Sequence, residues 1–165
     1  MKKLFLLALL PLFLASCGSS RRVPKNTINK PEKVLISNDA IENIVDHAKR
    51  FEGTRYKFGG TTKKGMDCSG LLYVSFADHD IKLPRTSYHM AEEGTRIKVK
   101  DVQKGDLLFF RTSRGAKRIN HVGMVVATEN EEITFIHAST SRGVTVSSLR
   151  DGFWNNAFVK ATRIL

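Results

Sequence analysis

Residues 121–139 read HVGMVVATENEEITFIHAS. Two apolar stretches, Val122 to Ala127 and Ile133 to His137, flank a polar tip, and this is the pattern of a β-hairpin. If residues 128–130 form the loop, positions 121 and 137 pair directly across the two strands. Their side chains then project from one face as neighbours about 5 Å apart. Outward from this hairpin, Leu107 to Phe110, Val144 to Val146 and Phe158 to Ile164 are further short apolar or alternating runs. Clusters of Gly, Asn, Asp and Ser separate them, so the chain after Gly94 is expected to be strands. The earlier half has helical signals instead. Asp39 and Glu42 suggest a cap, and Ile41, Ile44, Val45 and Ala48 follow helical spacing until Gly53. From Ser69 to Ala77, the residues Leu71, Leu72, Val74 and Phe76 suit a largely buried helix with Asp67 as its N-cap. A third short helix is expected around Thr86 to Glu93. Helices followed by consecutive strands predict an α+β fold, with helices packed on one face of an antiparallel sheet.

The bulk composition agrees with one compact domain and a short appendage. The chain has 165 residues, 41% hydrophobic and 26% charged, with 12 Gly and 4 Pro, which excludes disordered, collagen-like and coiled-coil classes. Two cysteines cannot build a disulfide-rich scaffold, so a buried core must hold the fold. The single apolar run at the N-terminus excludes a polytopic membrane protein.

That run is read as an address. Met1-Lys2-Lys3 is a positive start and Leu4 to Ala15 is an apolar stretch too short to span a bilayer, as in a signal peptide. Leu14-Ala15-Ser16-Cys17 follows at once and resembles the lipobox of bacterial lipoproteins, in which the signal is cut before the cysteine and the thiol is acylated. The expected organisation is a signal over 1–16, a lipidated Cys17 with a flexible tether over 17–37, and a domain over 38–165. Loss of Lys2 and Lys3 lowers the net charge from +11 to +9. Outside the cytoplasm, that basic surface faces anionic envelope polymers or lipid headgroups, and nucleic acid is not an expected partner.

If Cys17 carries lipid, Cys68 has no partner within the chain, and a leftover thiol marks a candidate nucleophile. Cys68 stands where a helix is expected to start, and free N–H groups there favour a thiolate. His121 and His137, side by side on a hairpin, offer a general base and a group to orient it. The bland readings are a core cysteine and surface histidines. A zinc site from Cys68, His121 and His137 matches no compact spacing, and neither metal nor cofactor is expected.

A resemblance narrows these alternatives. Asp67-Cys68-Ser69-Gly70, then His121-Val122-Gly123-Met124-Val125, then Phe135-Ile136-His137-Ala138-Ser139, resembles the NlpC/P60 family of cell-wall cysteine peptidases. Tyr56-Lys57-Phe58-Gly59-Gly60, Leu83-Pro84-Arg85-Thr86-Ser87 and Gly105-Asp106-Leu107-Leu108-Phe109-Phe110 support it, in the family's order. The resemblance implies a papain-like fold, with the nucleophile helix on a five- or six-stranded antiparallel sheet. It implies cleavage of peptidoglycan stem peptides, most often between D-γ-glutamate and the diamino acid. Cys68 then matches the nucleophile, His121 the base and His137 the orienting residue. Tyr56 matches a tyrosine that holds substrate or the oxyanion, and Asp67 and Ser69 are expected near the substrate's amino end. Met90 stands where relatives often carry glutamine. The expectation is a monomeric enzyme, lipid-anchored through Cys17 to a bacterial membrane, on the periplasmic face of an outer membrane where one exists. The rivals are an amidase or acyltransferase of the same fold, and a non-catalytic envelope-binding lipoprotein.

Overall fold

The computed structural model describes residues 38–165, so the signal, Cys17 and the tether lie outside the described residues. In chain order the elements are α1 (Asn38–Lys49), a small hairpin of β1 (Thr61–Thr62) and β2 (Gly65–Met66), α2 (Cys68–Ala77) and α3 (Ser87–Met90). Then come β3 (Thr95–Ile97), β4 (Leu107–Phe110), β5 (His121–Glu129), β6 (Glu132–Ser139), β7 (Gly143–Ser148), α4 (Gly152–Ala157) and β8 (Phe158–Arg163). Six strands form one antiparallel sheet in the order β3-β8-β4-β5-β6-β7. The expected α+β class and all five expected strands are present. The unforeseen elements are the β1–β2 hairpin, the edge strand β3, a 3-10 turn at Val99–Asp101 and helix α4. Each is short, and β3 reads Thr-Arg-Ile, too polar for an apolar signal.

Strand β4 explains how the layers are arranged. Its four residues, Leu107-Leu108-Phe109-Phe110, are all buried, without alternation, as happens when both faces of a sheet are covered. Leu107 and Phe109 join Ile44, Val45, Leu71, Leu72 and Phe76 beneath α1 and α2. Leu108 and Phe110 turn the other way, toward Val125, Phe135, Ala161 and the α4 residues Trp154 and Ala157. The expectation of helices on one face alone is therefore corrected: α4 closes the opposite face. Helix α2 is apolar nearly all round because it lies between α1 and the sheet.

The hairpin register also differs from expectation. The β5–β6 turn has two residues, Asn130 and Glu131, with φ of 49° and 61°. This mirror-image turn suits the twist of a hairpin, but Glu is an uncommon occupant of positive φ, so no Asn-Gly signal announced it. Glu129 pairs with Glu132, and a shift between Val125 and Ala127 then sets Val125 against Phe135 and Met124 against Ile136. One step further, His137 falls level with Gly123. His121 is thus a diagonal neighbour of His137, on the same face, and not its direct partner.

Candidate active site

Cys68 opens α2, and the residue before it builds the helix start. Asp67 is the N-cap, its Oδ1 accepting the Gly70 N–H at 2.6 Å. The same carboxylate takes two bonds from Arg85, Nη1 to Oδ1 and Nη2 to Oδ2, both at 2.9 Å. Its Oδ2 also accepts the Gly59 N–H at 2.7 Å, and Ser69 Oγ lies 3.3 Å from Oδ1. Arg85 Nη1 donates to Ser69 Oγ at 2.9 Å. Asp67 and Ser69, expected near the substrate, are thus buried and already satisfied by protein donors, with Arg85 as the cation that ties them together. A Cβ on Gly70 would strike the Gly60 carbonyl, so the helix start can seat on that loop only with glycine there.

The thiol itself is buried, 8% exposed. Burial pushes its pKa up, and the neighbouring Asp67 charge adds to that, against N–H groups of Val122, Ser69 and Cys68 that favour the thiolate. The helix start was expected to ionise this sulfur. It does not prevail, because burial disfavours the thiolate more than those N–H groups favour it, and the N-cap carboxylate adds a smaller push the same way.

His121 and His137 meet across the hairpin. His121 Nε2 lies 3.1 Å from His137 Nδ1, and His137 Nε2 lies 3.0 Å from Ser147 Oγ on β7. Arg142 reaches the same hydroxyl at 3.4 Å. His137 is fully buried and Ser147 nearly so. Burial lowers the pKa of His121 to about 4. Burial, then the nearby His121 and Arg142, lowers that of His137 to about 3. Both rings are therefore neutral at pH 7. If His121 is to accept a proton on Nδ1, its Nε2 must carry hydrogen and donate to His137. That requires His137 to be the Nε2–H tautomer, which Ser147 Oγ can accept from.

Two cavities meet at the thiol. The larger, about 610 Å³, is lined by His121, Ser139, Arg142, Asp151 and Trp154 among others. The smaller, about 390 Å³, is lined by Phe58, Ser69, Arg85 and Thr86. Tyr56, Cys68 and Asn120 line both. Burial and the Cys68 and Asp67 charges push the Tyr56 pKa up, so its hydroxyl stays a donor at the junction. A chain laid along both cavities would bring one of its bonds past Cys68. The structure thus gathers all the expected residues, Tyr56, Asp67, Cys68, Ser69, His121 and His137, in one region. Arg85, Asn120, Arg142, Ser147 and Trp154 were not foreseen there. Arg85 stood in a quoted motif, but only the folded chain shows its two-pronged grip on Asp67.

Residues 53–163 match the model of the NlpC/P60 family. The chain is 38% identical over 160 residues to the probable endopeptidase NlpC of Escherichia coli, covering 96% of this chain and 97% of that protein. It is 34% identical over 135 residues to the murein DD-endopeptidase MepS/murein LD-carboxypeptidase of Escherichia coli, covering 81% of this chain and 68% of that one. To the bifunctional muramidase/DL-endopeptidase CwlT of Bacillus subtilis it is 33% identical over 144 residues, 87% of this chain and 42% of the relative. Among solved structures, an NlpC/P60 family protein from Bacillus cereus matches with a TM-score of 0.69 at 28% identity, covering 76% of this chain and 40% of that one.

Proposed function

Because this chain belongs to the NlpC/P60 family, we propose that it is a peptidoglycan hydrolase, a cysteine endopeptidase that cuts stem peptides with Cys68, His121 and His137. The observation that carries the reading is the bonded series His121–His137–Ser147, opening beside a buried thiol at the junction of two cavities.

The chemistry starts from the neutral pair. As Sγ attacks the scissile carbonyl carbon, its proton moves to His121 Nδ1, and the carbonyl π electrons move to oxygen. His137 Nδ1 accepts from His121 Nε2–H and so supports the positive charge that forms. The developing oxyanion has two donors within reach of the junction, the Cys68 backbone N–H at the helix start and the Tyr56 hydroxyl. Collapse breaks the C–N bond, and His121 returns its proton to the leaving amine, leaving a thioester on Cys68. Water, deprotonated by His121, then displaces the sulfur, which recovers the proton. Since His121 must reach the departing amine, the larger cavity is the amine side, and the smaller one, with Arg85 and Ser69, holds the acyl side.

The bond assigned first is that between D-γ-glutamate and the diamino acid, the DL-type cleavage carried in the name of the Bacillus subtilis relative. Likeness to a murein DD-endopeptidase supports a second reading, cleavage of a DD bond in murein. Mass analysis of fragments released from purified sacculi separates them, and folded Cys68→Ala should release nothing. Parent-level release by that variant would overturn the peptidase reading. Among the described residues no helix is long and apolar enough to cross a membrane, and the anchor assigned here is acylated Cys17. Cys17→Ala should move the protein out of the detergent phase while the domain stays folded; unchanged partitioning would sink the anchor.

A further inference from the structure

The wall behind the two histidines is an indole. Trp154, on the unforeseen helix α4, is 6% exposed and lines the larger cavity. Its ring lies over His121, with centroids 5.2 Å apart and planes 26° apart. It meets His137 edge-on at 4.6 Å and 65°. Phe110 and Phe135 brace the indole at 5.2 Å and 5.4 Å, both edge-on. The indole therefore has one face committed to His121, and its orientation is set from outside the histidine pair.

A face-on indole does not treat the two protonation states of an imidazole alike. Against the neutral ring it gains ordinary stacking. Against the imidazolium it adds the attraction of a cation to the negative π face, which is largest where water is excluded. An interaction that strengthens as charge develops accelerates a reaction, whereas one present equally before and after only binds. The edge-on contact does a second job, restricting the His137 ring so that Nδ1 faces His121. We propose that Trp154 is a positioning residue of this site: it holds the His121 and His137 rings in bonding register and stabilises the proton that His121 carries during each half of the reaction. The inference rests on the reading of His121 as the acid–base group.

The other charged or titratable groups around His121 are Cys68 on α2, Tyr56, His137 on β6, Arg142 in the β6–β7 turn and Asp151 ahead of α4. Substitution at 154 leaves all of them in place. The test compares the parent with Trp154→Phe and Trp154→Leu through the rate of Cys68 alkylation by iodoacetamide across pH. That readout needs no substrate. At neutral pH it follows the small fraction of molecules in which the thiol proton already sits on His121. Loss of the indole face should slow alkylation about tenfold in Trp154→Leu and by less in Trp154→Phe, which keeps an aromatic face. The acid limb of the profile should move to lower pH by about 1 unit. On a stem tetrapeptide kcat should fall in parallel while KM holds. If Trp154→Leu does not fold, Trp154→Met, a flexible apolar replacement, takes its place. Parent alkylation rates at neutral pH in a folded variant without an aromatic face would overturn the proposal. Absence of tetrapeptide cleavage by the parent would instead count against the functional reading, with the alkylation series still deciding the role of Trp154.

Discussion

Asp67→Asn tests whether one carboxylate both builds the helix start and restrains the thiol. The amide keeps Oδ1 as acceptor for the Gly70 N–H. Its NH₂ replaces Oδ2, and so faces the Gly59 N–H at 2.7 Å and Arg85 Nη2 at 2.9 Å, two donors with no acceptor left. Each charge-assisted bond lost costs about 1.5–3 kcal/mol. The Arg85 side chain is 34% exposed, so water recovers part of that one. The net expectation is a loss of about 3 kcal/mol, which lowers Tm by roughly 10 °C for a domain of this size. The thiol should respond in the opposite sense. The Asp67 charge helps hold the Cys68 pKa up, so its removal should shift the alkaline rise of iodoacetamide alkylation to lower pH. Thermal unfolding followed by circular dichroism gives the first number and the alkylation profile the second. An unchanged Tm, or an alkaline rise displaced upward, would refute the reasoning.

The pH profile of cleavage follows from the two opposed shifts. His121 is the active base only above its lowered value of about 4, and Cys68 keeps its proton until above the ordinary thiol range. Activity should therefore climb through about pH 4 and hold a broad plateau, falling only in alkali; a narrow bell between pH 5 and 7 would contradict a neutral resting pair. At the orienting position, His137→Ala should cost more than His137→Asn or Gln, each of which can keep a hydrogen bond, in initial rates on a stem tetrapeptide. Ser147→Ala strands a buried Nε2–H and should cost about tenfold in kcat, with Ser147→Thr recovering most of it; parent-level kcat in Ser147→Ala would remove Ser147 from the series. Gly123→Ala would set a Cβ 2.5 Å from Phe135 Cδ2 and 3.0 Å from the Ile136 carbonyl. Unfolding by denaturant should show a loss of about 1–3 kcal/mol, and activity should drop with it because Phe135 packs against His137 at 5.0 Å.

What the sequence disclosed and what it hid divide along physical lines. Strands β4 and β5 announce themselves as apolar runs because both sheet faces are covered there, and β6 to β8 through mixed or alternating apolar residues. Asp67 is legible as a cap because capping depends on residue type and on neighbours three positions away. The diagonal meeting of His121 and His137 is not legible in the same way. It depends on a turn that forces Glu131 to positive φ and on a one-residue shift near Val126, and neither has a compositional mark. Side-chain reach made up the difference, since a diagonal pair on one face still lies within range of two imidazoles. Ser147 and Trp154 are harder still. Each matters through a side-chain contact that no local pattern announces, Ser147 across the β6–β7 ladder and Trp154 from α4 onto β5, and a six-residue helix has too few turns to show periodicity.

The charge arrangement beside the Asp67–Arg85 ion pair then accounts for why the thiol and the two imidazoles are pushed toward their neutral forms. A helix start beside the sulfur should acidify it, yet the first turn needs a capping acceptor, and Asp67 supplies one with a full negative charge. Arg85 returns a positive charge to the same spot, but spends it on a two-pronged pair with the carboxylate and on Ser69. What reaches Cys68 is mainly burial, and burial favours the neutral thiol. The same holds for both histidines. A thiolate–imidazolium pair left standing in this pocket would cost desolvation with no substrate charge to offset it. A neutral pair defers that cost to the moment of attack, when His137 accepts from the charged ring and the donors at the helix start meet the oxyanion. A thiol held this way should also be slow to oxidise. Peroxide should convert folded parent protein to Cys68 sulfenic acid more slowly at pH 7 than it converts Asp67→Asn, because oxidation follows thiolate character and access. Dimedone trapping read by mass spectrometry gives the two rates, and a parent oxidised faster than Asp67→Asn would show that the thiolate is already present at rest.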